Sequence, residues 1–218
     1  MSNPVERGGR IAVGVGEMPL EAQALTAGGQ ERALVDSCRS GDAVAFARLV
    51  RLHEGMVFSV SARLLGDAEE ARDVAQEVFL QVYRQLGRFE GRSTLRTWIY
   101  RIAVNQCHNR RRFWRRRHRD REEGLEAVSA AAAAARGGSS PYEEARRLER
   151  ARRVQGALMD LSFEHRSVLV LREIEGLTSE EVAEALRVPV GTVKSRLSRA
   201  REAMRQRLRG LVEEDRSS

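Results

Sequence analysis

Apolar positions recur along most of this chain at spacings of three and four, the signature of helices with one buried face. Over residues 68–86, Ala71, Val74, Ala75, Val78 and Val82 share one face, while Asp73, Gln76, Glu77, Leu80 and Arg84 share the other. The same periodicity predicts helices over residues 31–39, from Asp42 into the region of Met56, and over 93–116, with a stop at Leu65-Gly66-Asp67. Residues 119–140 lose it; they carry an alanine run closed by Arg-Gly-Gly-Ser-Ser-Pro and read as a linker. Periodicity returns as helices over 141–160 and 163–173, whose Leu158, Leu161, Val168, Leu169, Leu171, Ile174 and Leu177 form a core with Val182, Leu186, Val193 and Leu197. The expected fold class is all-α: a flexible N-terminal extension over 1–30, a helical domain over 31–117, a flexible linker over 118–140, a second small helical domain over 141–210 and a short tail over 211–218.

The second domain carries the sharpest local pattern. Thr178 followed by Glu181 is a capping box, which opens a helix near Ser179. Val182, Ala183 and Leu186 give that helix a short stripe, and Arg187, Val188 and Pro189 end it, because proline disfavours helical geometry in its predecessor. A second helix starts at about Val190, with Val193, Leu197, Ala200 and Met204 facing inward. Thr192, Lys194, Ser195, Ser198 and Arg199 are left for phosphates and base edges. This helix-turn-helix points at DNA; the plainer reading is a solvated basic face.

Charge sharpens that picture once it is located. The net charge is +7, yet residues 88–121 alone hold twelve arginines against two acids, while residues 1–87 hold nine against twelve. A local basic surface of this kind tracks a polyanion. Over residues 93–116, Leu95, Trp98, Ile99, Ile102 and Gln106 face inward, and Arg96, Tyr100, Arg101, Asn105, His108, Arg111 and Arg112 line the opposite arc. Guanidinium groups beside amide and aromatic side chains suit partly unstacked DNA, and the preceding loop with Arg88, Phe89 and Arg92 can approach such a strand closely. Leu80 amid Asp73, Gln76 and Glu77 marks a candidate protein-binding face.

Other chemistries find little support. Cys38 and Cys107 stand far apart among four histidines, with no metal spacing, so no disulfide framework, zinc site or cofactor is expected. No run approaches a membrane span and no cleavable signal core is present, which predicts a cytoplasmic protein. An enzyme acting on nucleic acid would need paired carboxylates or a phosphate-cradling loop, and none is found. A conventional regulator that binds a palindromic duplex remains the main alternative.

Three blocks, DAEEARDVAQEVFLQVYRQL, STLRTWIYRIAVNQ and HRSVLVLREIEGLTSEEVAEALRVPVGTVKSRLSRAR, resemble in order and spacing the extracytoplasmic-function sigma factors, small two-domain alternative sigma factors of bacterial RNA polymerase. The resemblance covers residues 31–209 and implies a non-catalytic initiation subunit, responsive to stress or another signal. It implies that Asp73, Gln76, Glu77 and Leu80 dock on the clamp helices of core RNA polymerase. It further implies that Arg88, Phe89, Arg92, Arg96, Tyr100, Arg101, Asn105, His108 and Arg112 read and melt the minus-ten element, capturing a flipped nontemplate base. Lys194, Ser195, Ser198 and Arg199 would read the minus-thirty-five element in duplex promoter DNA, with Thr192 and Arg196 nearer phosphate, and the linker would run through the polymerase. An anti-sigma factor joins the candidate partners. Where the family usually has Leu-Pro, this chain has Leu161-Ser162-Phe163, which predicts a looser start to the helix that follows.

Overall fold

The computed structural model describes residues 20–117 and 141–216, with side chains described over 29–116 and 142–209. The proposed linker, and residues 1–19 of the proposed extension, lie outside the described residues. Among the described residues every regular element is helical: α1 (Leu20–Arg39), α2 (Ala43–Leu65), α3 (Ala68–Gln85), α4 (Leu95–Arg117), α5 (Pro141–Met159), α6 (Phe163–Leu169), α7 (Ser179–Leu186) and α8 (Val190–Arg216). A 3-10 turn over Leu86–Arg88 follows α3, and a π-helical turn over Val170–Ile174 continues α6. Helix α1 starts before residue 31, where the periodicity begins, and the sequence pattern did not foresee the π turn.

Local chemistry sets the boundaries. The Asp42 carboxylate accepts from the amides of Val44 and Ala45, and that of Asp67 from Glu69 and Glu70, capping α2 and α3. Gly66 ends α2 in the left-handed conformation at φ 77°, and a Cβ there would lie 2.6 Å from Met159 Sδ, so both the turn and the approach of α5 call for glycine. The N-terminus of α4 takes a long-range cap, the Leu95 amide donating 3.0 Å to Glu31 Oε1. Ser162 caps α6 by accepting from the His165 amide, so that helix start is held without proline, against the looser start expected for it.

Helices α1 to α4 pack into the N-terminal domain around Leu49, Val57, Val60, Leu64, Val74, Val78, Val82, Leu95 and Ile99, all fully buried. Helices α5 to α8 enclose Leu158, Val168, Val170, Leu171, Val182, Val193 and Ala200. The two domains rest on one another: α4 lies against α7, and α2 against α5, α6 and the π turn. Arg166 bolts this junction. Its guanidinium, 1% exposed, donates to the carbonyls of Leu158 (2.8 Å), Met159 (2.6 Å) and Leu161 (3.0 Å) at the end of α5, and to Leu64 (2.6 Å) at the end of α2. Burial lowers its pKa to about 10, which leaves it charged at neutral pH and fully used as a donor.

Candidate nucleic-acid interface

The helix-turn-helix forms as its residues dictate. The Thr178 amide donates 2.8 Å to Glu181 Oε2 and the Glu181 amide 3.1 Å to Thr178 Oγ1, the reciprocal pair of a capping box. Arg187 closes α7 in the left-handed conformation at φ 54°, and the Pro189 carbonyl accepts from the Thr192 and Val193 amides to start α8. With Val193, Leu197, Ala200 and Met204 buried, α8 turns Lys194, Ser195, Ser198 and Arg199 fully outward, and Thr192 and Arg196 are half-buried at the edges of that face. The result is an open, donor-rich strip about one and a half helical turns long, the size of surface that enters a major groove.

The basic helix of the N-terminal domain is placed differently. Leu95, Trp98, Ile99 and Ile102 are buried, as the periodicity requires. Arg88 and Arg92 of the preceding turn and loop are exposed, as are Arg96, Asn105 and Arg112 on the opposite arc of the helix, while Arg101 and His108 are half-buried. Two aromatic members depart from the outward positions the sequence pattern gave them. Phe89 is 8% exposed, its ring 5.3 Å from that of Trp98, and its carbonyl accepts from Arg39, so it anchors the loop from within. Tyr100 is fully buried because the second domain covers it.

That cover centres on Glu175, immediately after the π turn. Its carboxylate accepts from the Tyr100 hydroxyl at 2.6 Å and from the Ser59 hydroxyl at 2.9 Å, and its main-chain oxygen accepts from Arg96 at 2.9 Å. Arg96 also donates 3.0 Å to the Tyr100 oxygen. Burial, and then the bond to Glu175, raises the Tyr100 pKa, so the phenol remains a donor at neutral pH. Further along the helix, burial and then the neighbouring charge of Arg187 lower the pKa of Arg101, while His108 and Arg111 pack on Phe163, the imidazole 5.2 Å ring to ring and the guanidinium 5.6 Å above it. Neither Glu175 nor Arg166 was singled out from sequence, since their partners lie far away along the chain.

On α3, Asp73, Gln76 and Leu80 form an exposed strip, and Leu80 (56% exposed) is accompanied by Tyr83 (62%). Glu77 differs from its neighbours: it accepts 2.6 Å from Arg110, which also donates 2.7 Å to Glu70, and so ties α3 to α4. Both cysteines are buried, and burial pushes the Cys107 thiol up to about 12, where it is inert. No group of metal-ligating side chains occurs among the described residues, and no helix among them is long and apolar enough to cross a membrane.

Comparison with known proteins agrees with this division. Residues 49–119 match the family model of Sigma-70 region 2 and residues 146–204 that of Sigma-70, region 4. The RNA polymerase sigma-H factor of Pseudomonas aeruginosa is 38% identical over 187 residues, covering 85% of this chain and 97% of that one. The ECF RNA polymerase sigma factor SigW of Bacillus subtilis is 34% identical over 179 residues, covering 81% and 96%. The sigma factor RpoE of Bartonella quintana, solved in complex with the anti-sigma factor NepR, has the same fold, with a TM-score of 0.62 at 24% identity over 75% of this chain and 96% of that one.

Proposed function

This chain belongs to the extracytoplasmic-function sigma factors, a family of transcription initiation factors, and on that premise we propose that it joins core RNA polymerase, recognises two promoter elements and opens the DNA between them. The observation that carries this reading is the pair of separate donor-rich helix faces, one on α4 and one on α8, each backed by its own buried stripe. Lys194, Ser195, Ser198 and Arg199 read the upstream duplex element, with Thr192 and Arg196 on phosphate. Arg88, Arg92, Arg96, Tyr100, Arg101, Asn105, His108 and Arg112 serve the minus-ten element, on a loop that Phe89 holds in place.

Two modest DNA-binding modules gain specificity when a large partner fixes their separation, because the second contact becomes intramolecular. The strip Asp73, Gln76 and Leu80, bordered by Glu77, is the docking face for that partner. Opening requires no catalysis by this chain. Contacts to the extruded strand offset the few kcal/mol of unstacking for each flipped base. By analogy with the relative solved beside NepR, an anti-sigma factor is a further partner.

The test is to mix the purified chain with bacterial core RNA polymerase, isolate the complex and map transcript starts on genomic fragments. New starts that require the chain, with two shared upstream elements, are expected. No complex, combined with tight binding to a palindromic duplex by the chain alone, would point instead to a conventional regulator.

A further inference from the structure

We infer that Glu175 is an intramolecular latch, which holds the helix-turn-helix domain over α4 and withholds Tyr100 from single-stranded DNA until the two domains part. The inference rests on the proposed role of α4 as the minus-ten reader and adds a regulation of that surface.

The geometry is one of competition for donors. The Glu175 carboxylate accepts the hydrogen bond of the Tyr100 hydroxyl, and its main-chain oxygen accepts one from the Arg96 guanidinium. A nontemplate strand would present phosphate and base acceptors to Tyr100 as well, and its single phenolic proton, already committed at 2.6 Å, cannot serve both. Tyr100 is fully buried in this arrangement, so no base can stack on it. The cover extends along the helix, with Arg187 and Glu184 near Arg101 and the Phe163 ring beside His108 and Arg111.

The latch is selective between the two DNA faces. Lys194, Ser195, Ser198 and Arg199 are exposed in the closed arrangement. A closed chain can therefore engage duplex through α8 while α4 remains shut. The main-chain path also favours a device of this kind: the π turn over Val170–Ile174, closed by the Glu175 amide donating to the Val170 carbonyl at 3.0 Å, carries Glu175 to the α2–α4 groove. Ser59 of α2 supplies the second hydroxyl, so the carboxylate bridges two helices of the other domain.

Apparent affinity scales with the fraction of open molecules. Glu175→Ala in the full chain is expected to raise affinity for a fluorescein-labelled single strand bearing the mapped minus-ten segment by about a hundredfold or more, for the loss of two hydrogen bonds to a charged group. Affinity for a duplex bearing only the upstream element should not change. A covalent counterpart guards against an effect on folding: Ser59→Cys with Glu175→Cys, joined by a short, reductant-cleavable bis-maleimide, should lose strand binding when linked and regain it when reduced. Unchanged strand affinity in Glu175→Ala, or equal affinity in the linked and reduced forms, overturns the latch. If the wild-type chain still directs new starts with core polymerase, the minus-ten reading survives that failure; if it directs none, the reading fails with it.

Discussion

Arg166 ties the end of α5 to the end of α2, and its truncation has a magnitude that follows from its partners. Arg166 is 1% exposed and its guanidinium faces four carbonyl oxygens with no carboxylate hydrogen-bonded to it, so main-chain dipoles, with the nearby charge of Asp160, balance its own. Arg166→Ala leaves those carbonyls at the ends of α2 and α5 without a donor and opens a cavity between the helices. Hydrogen bonds to a charged group contribute about 1.5–3 kcal/mol each, but relief of the buried charge and entry of water return much of the sum, so a net loss of about 3–5 kcal/mol is expected. With a urea dependence of about 2 kcal/mol per molar, the unfolding midpoint should fall by about 2 M, followed by circular dichroism. Arg166→Lys should recover only part of this, because an ammonium cannot span both helix ends as the planar fork does. A midpoint shift below about 0.5 M for Arg166→Ala, with the cooperativity of unfolding preserved, would refute the assignment of the four carbonyls to this one donor.

Three further perturbations test the separate surfaces. Arg199→Ala should relax discrimination at one upstream base pair by about 1–3 kcal/mol, read by comparing duplexes that differ at single positions; uniform weakening over all duplexes would exclude base reading. Asp73→Ala combined with Leu80→Ala should weaken association with core polymerase in a pull-down titration and leave thermal unfolding unchanged. Glu77→Ala, by contrast, should also lower stability by about 1 kcal/mol, because Arg110 loses one of its two carboxylates. Gly66→Ala should destabilise the chain by about 1–2 kcal/mol in urea titration, through the left-handed backbone and the displacement of Met159; a neutral result would show that the α2–α5 contact is looser than the 2.6 Å approach implies.

The sequence by itself determined what depends on neighbours a few residues away. The capping box of Thr178 and Glu181, the caps at Asp42 and Asp67, the stop at Gly66 and the inward stripe of α8 are short-range matters of hydrogen-bond geometry and of the 3.6-residue period. For the same reason Lys194, Ser195, Ser198 and Arg199 were legible as an outward face: the stripe Val193, Leu197 and Ala200 leaves them nowhere else to go. Tertiary structure alone decided the state of α4. Tyr100 has an outward position on its helix and is nevertheless buried, because Glu175 reaches it from 75 residues away. Ser59 meets the same carboxylate across 116 residues, and Arg166 reaches the Leu64 carbonyl across 102. Helical periodicity reports which side of one helix is apolar, and it holds no information about which distant polar group will settle on the other side. Burial of a charged or hydroxylic group becomes favourable only when its partners arrive from elsewhere in the fold, so these contacts emerge from the packing of the two domains.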